Sequence, residues 1–116
     1  LVRYGDRKEA ADVKTIAVAN NIEESLALVP GKNLQEKFSR LVENTLVLQL
    51  RECEDYLFKY ESKYGMDFTN FAELWDQGEI SDKHSHEVER DFMEWEGFAM
   101  ERSSLLKALR NFKTKA

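Results

Sequence analysis

The run NLQEKFSRLVENTLVLQLRECEDYLFKYESKYG, residues 33–65, decides the fold. It holds no proline, and no glycine before Gly65. Asn33 stands where a helix N-cap is wanted, and Glu36 follows three residues later in capping-box register. Gly65 supplies the usual C-cap. The pattern predicts one helix of about 30 residues, about 45 Å long at a rise of about 1.5 Å per residue. Along it Leu46, Leu50, Cys53, Leu57, Tyr60 and Tyr64 recur in alternating steps of four and three, a heptad-like seam that wants a partner helix.

That partner lies downstream. Asp67 is placed to cap a short helix over residues 68–77, with Met66 and Phe71 in hydrophobic-staple register and Gly78 as its stop. Residues 81–85 form a polar connection. Ser85 then caps a last helix, whose first turn carries Glu87 and Glu89 near its positive end. Val88, Phe92, Trp95, Ala99, Arg102, Leu106 and Leu109 repeat the four–three stepping, and Phe98, Leu105 and Phe112 widen the stripe. Two long helices with such seams, joined by a short one, predict an antiparallel hairpin. Trp95 belongs to its core. A hairpin buries little on its own, so a homodimer or a bound partner is expected to complete the core.

Upstream, VKTIAV at residues 13–18 is rich in β-branched residues and reads as a short strand or extended arm. Asn20 or Asn21 is expected to cap a short helix running to Leu28, and Pro30-Gly31 ends it. The expected fold class is therefore mainly α: a short N-terminal strand or arm, then the helical hairpin. At 116 residues the chain reads as a single domain, with 13–46 as a strand–helix–helix dimerisation segment and 47–116 as the hairpin.

The lone cysteine leaves no internal disulfide and fits a reducing, cytoplasmic setting. No 18-residue apolar run is present, and the N-terminus lacks the apolar region of a signal peptide. Leu1 is not an initiator methionine, so residues 1 to about 12 read as processed or added sequence.

Charge is divided unevenly. Residues 1–50 carry seven basic and seven acidic side chains, whereas residues 51–116 carry ten and fifteen. Residues 73–101 alone hold ten acids against Lys83 and Arg90. A concentrated acidic, aromatic-rich surface suits a basic protein better than nucleic acid. The residues expected to bind that partner are Phe71, Trp75, Glu87, Asp91 and Glu94, aromatic anchors ringed by charge.

Other chemistries find less footing. His84 and His86, with Asp82, Glu87, Asp91 and Glu94, have the residue types of a metal site. They lack the convergent ligand pattern of zinc or di-iron centres and read as a solvated acidic face, so neither metal nor cofactor is expected. Cys53 lies on the apolar seam and reads as a small buried hydrophobe rather than a nucleophile. No Ser/His/Asp or Cys/His constellation and no phosphate-binding glycine pattern is present, so an enzyme is not expected.

Two resemblances add expectations. KTIAV, NNIEESLALV, PGKN and LQEKFSRLVENTL resemble, in order and length, a ribbon–helix–helix module. That resemblance implies a dimeric DNA-binding regulator with Thr15, Ala17 and Ala19 toward the major groove and Lys14 beside them. Those side chains make a poor base-reading surface. YESKYGMDFTNF…GE…SHEVERDFMEWEGF is similar to a group of small archaeal and bacterial proteins of the toxin–antitoxin type. The matching residues are Tyr60, Glu61, Lys63, Tyr64, Gly65, Met66, Phe68, Phe71, Gly78, Glu79, Glu87, Val88, Glu89, Asp91, Glu94, Trp95 and Glu96, spread over about a third of the chain. It implies an antitoxin-like protein that neutralises a small basic toxin of RNase type, and assigns no functional residue.

Overall fold

Caps set the helix boundaries. The computed structural model describes residues 13–115, and the expectation about residues 1–12 lies outside them. Four helices follow: α1 (Asn20–Leu26), α2 (Leu34–Tyr64), α3 (Phe68–Asp76) and α4 (His86–Lys115). At the start of α2 the Asn33 Oδ1 accepts from the Glu36 amide at 2.8 Å, and Glu36 Oε1 reaches back to the Lys32 amide at 3.2 Å. The box thus closes one residue further out than the standard motif. Gly65 ends α2 at φ 71°, a left-handed conformation that favours glycine. Asp67 caps α3 by accepting from the Asn70 amide at 2.9 Å, and Ser85 Oγ caps α4 through the Val88 amide at 3.2 Å. All three caps stand where the sequence puts them.

The described residues fall into two compact units divided between Lys37 and Phe38. In the first, α1 is capped by Ala19 with no side-chain bond, rather than by Asn20 or Asn21. Two asparagines in sequence gave no signal to separate cap from first turn. Gly31, at φ 151°, sits so close to Lys37 that a Cβ would lie 2.8 Å from its Cγ. The strand expected over residues 13–18 does not form, and no strand occurs among the described residues. Val13 and Ile16 are 69% and 67% exposed there. A β-branched run becomes a strand only against a pairing edge, and none is offered.

The second unit is the helical hairpin. Buried Cys53 and Leu57 of α2 meet Trp95 and Leu105 of α4, with Phe71 of α3 between them. Leu46, Leu50, Tyr60, Tyr64, Val88, Phe92, Phe98 and Ala99 pack around this centre. Both seams therefore face inward, with one shift: Leu105 rather than Leu106 is buried toward the open end, and Arg102 turns out to pair with Glu54 at 3.2 Å. The third layer comes from α3, whose Phe68, Phe71 and Trp75 stack into the fork between the long helices. Gly78, at φ 74°, stops α3, and among the described residues no helix is long and apolar enough to cross a membrane.

Candidate functional site

The fork between α2, α3 and α4 concentrates the titratable chemistry. Lys63 Nζ donates to Glu87 at 2.6 Å and also to Asp91, and the Tyr64 hydroxyl donates to the same Asp91 carboxylate at 2.6 Å. Burial alone would push the Asp91 carboxyl up. The bonds from Lys63 and Tyr64, with the Lys63 charge, outweigh it and hold Asp91 below the usual carboxylate range. Its bonds to Asp91 and Glu87 raise the Lys63 ammonium. Burial and the carboxylate it bonds push Tyr64 up to about 12. One turn along, the Tyr60 hydroxyl donates to Glu94 at 2.6 Å, and burial with that bond raises Tyr60 as well.

Of the five residues expected to contact a partner, Phe71 and Asp91 are buried, Trp75 is half-buried, and Glu87 and Glu94 are exposed. Phe71 is fully buried and is corrected from anchor to core: its position in the fork makes it the floor on which Tyr64, Trp75, Phe92 and Trp95 rest. Asp91, only 8% exposed, serves the internal network rather than a partner. Trp75 is half-buried, stacked on Phe92 at 4.3 Å, with Lys83 Nζ over its ring at 5.2 Å and bonded to its carbonyl at 2.7 Å. Glu87 and Glu94 remain on the surface, each holding an internal partner.

The outward side of α4 presents what the seams leave behind. Glu96 and Glu101 are exposed, and neither they nor Glu94 makes an ion pair among the described residues. Met93 and Met100 lie among them, exposed, with Gly97 between. Met93 and Met100 were open to sequence reading as an i, i+7 pair off the seam, but a search for core periodicity passes over such positions.

Lys14, Thr15 and Ala17 are exposed in a segment without a strand, so the ribbon that would carry them into a groove is absent. Among the described residues no three His, Cys, Asp or Glu side chains converge as a metal site. His84 approaches only Glu89, at 4.0 Å. The Cys53 thiol is buried and donates to the Phe98 carbonyl at 3.0 Å, and burial raises its pKa. Compared with protein-family models, curated proteins and solved structures, the chain matches none.

Proposed function

We propose that this protein is a non-catalytic interaction protein of antitoxin type, which binds a small basic protein through the outward acidic face of α4. The observation that carries the reading is the set of exposed carboxylates of Glu94, Glu96 and Glu101 on α4, none of which makes an ion pair among the described residues. Such a set lowers the free energy of a docked cationic surface and competes with RNA for a basic cleft. The resemblance of residues 60–98 to toxin–antitoxin proteins implies a toxin of RNase type as that partner. A homodimer belongs to the same reading: Leu41, Val42 and Leu48 give α2 an exposed apolar edge suited to a second copy.

The test is retention of proteins from native lysate at low and high salt, followed by an RNA-cleavage assay on the protein identified. A small basic protein released by salt, whose cleavage of RNA stops on adding this chain, is the expected result. The Glu96→Lys, Glu101→Lys double variant should lose that inhibition while keeping its helical circular dichroism. If no basic protein is held at low salt, the reading fails; a monomeric mass in sedimentation equilibrium removes the homodimer.

A further inference from the structure

We propose that the partner docks on α4 as an amphipathic basic helix, laid across Met93, Gly97 and Met100. This rests on the acidic-face reading above and names the kind of segment that fills it. Met93 and Met100 are 71% and 66% exposed. Seven residues apart, they lie on one side of the helix, about 10.5 Å from one another along its axis. Methionine is unbranched and polarisable, and adapts to an irregular apolar surface. The inner stripe of α4 is already filled by Phe92, Trp95 and Ala99, so the two methionines pack nothing inside the hairpin.

Gly97 points the same way. A glycine in a helix interior is less favourable than alanine. Here a Cβ would meet nothing within 4 Å, so the packing of this chain does not require glycine. What the missing side chain does create is a notch in the outer surface between the two methionines. The notch opens on a groove of about 530 Å³ lined by Tyr56, Tyr60, Glu94, Phe98 and Glu101. The Tyr56 and Phe98 rings stack in it at 4.4 Å and 5°. A docked side chain passing over Gly97 meets these rings.

The charges specify the occupant. Glu94 and Glu101 border the stripe on the groove side, Glu89 and Arg90 stand beside Met93, and Glu96 lies on the other flank, so carboxylates outnumber cations along it. A helix with an apolar face and lysine or arginine along both margins matches this order, apolar side chains to the methionines and cations to the carboxylates. An extended strand gains no such match, because the α4 backbone is bonded within its own helix and offers no edge. Removing a side chain at the crossing point also lets two helix axes approach more closely.

The probes are a three-heptad lysine–leucine peptide with its leucines on one helical face, and a scrambled isomer of the same composition. Binding to the intact chain is measured by calorimetry at low and high salt. The amphipathic peptide is expected to bind at least about tenfold more tightly than its isomer. The Met93→Ser, Met100→Ser double variant should erase that margin, and Gly97→Leu should weaken the amphipathic peptide alone. All these positions face solvent, and unchanged circular dichroism checks that the hairpin persists. Equal, salt-sensitive binding of both peptides overturns the helix inference and leaves the acidic-face reading standing. No binding of either at low salt sinks both. An affinity unmoved by Gly97→Leu also overturns the inference, since the notch would then play no part.

Discussion

Replacing Trp95 tests the centre of the hairpin, and two substitutions there separate packing from polarity. The indole is fully buried, with the rings of Phe71, Phe68, Tyr64 and Tyr60 at centroid distances of 4.8, 5.5, 5.6 and 5.7 Å. Truncating a large buried aromatic costs about 3–5 kcal/mol. With four aromatic neighbours and no exposure, Trp95→Ala belongs in the upper half of that range. Its Nε1 is buried without a hydrogen-bond partner among the described residues. An unsatisfied buried donor costs about 1–3 kcal/mol, which Trp95→Phe recovers. Phenylalanine buries about 40 Å² less apolar surface, a loss of about 1 kcal/mol at about 25 cal/mol per Å². The two terms oppose, so Trp95→Phe should fall between neutral and about 2 kcal/mol more stable. Urea unfolding followed by circular dichroism measures both variants, provided the denaturant slope is unchanged. A cost below about 1 kcal/mol for Trp95→Ala would refute the placement of the indole in the core. A Trp95→Phe variant as unstable as Trp95→Ala would show that Nε1 finds a partner in solution.

Lys63→Met leaves Asp91 without its cation and, because Lys63 is itself partly solvated, should cost about 1–2 kcal/mol at neutral pH. Asp91 has a depressed folded pKa, so its contribution is present above its unfolded value near about 3.9 and is lost as pH falls through the folded value. In Lys63→Met the acid-unfolding midpoint should therefore move to higher pH, and a midpoint that stays put would discount the network. Tyr60 and Tyr64 have raised folded values, so their contribution is full below about 10 and is lost as pH rises through those values. Ultraviolet titration should show a late phenolate phase that Tyr64→Phe diminishes; a single phase near about 10 would contradict it. Cys53 should resist thiol reagents in the native protein and react at once in denaturant, and rapid native labelling would mean that the seam opens.

The hairpin was legible because its signals are local and repeated. Both seams and the caps at Asn33, Asp67 and Ser85 depend on neighbours within a few residues. What was not legible depends on distant partners. Residues 13–18 have strand composition, but composition cannot supply a second strand. Phe71 looks like surplus apolar surface on a short helix until the fork receives it. Asp91 is one acid among many in α4, and only the reach of Lys63 and Tyr64 from α2 singles it out. Met93, Gly97 and Met100 were hidden for the opposite reason: they face solvent and so leave no mark on the core pattern.

The bridges between α2 and α4 close successively larger loops around the connector. Lys63–Glu87 spans 24 residues, Tyr60–Glu94 34, Cys53–Phe98 45 and Glu54–Arg102 48, with Glu43–Lys113 outermost. Each doubling of a loop adds only about 0.6 kcal/mol to its closure, but an inner bridge already formed shortens the loop left for the next one out. Formation from the connector outward thus divides one large entropic cost into small steps, like the closing of a zip. Opening runs in reverse, and the outermost turns separate while Lys63 still holds the fork. Amide exchange should accordingly slow along α4 from the open end toward the connector, with the outer turns exchanging by fraying and the amides around Trp95 only when the whole hairpin comes apart.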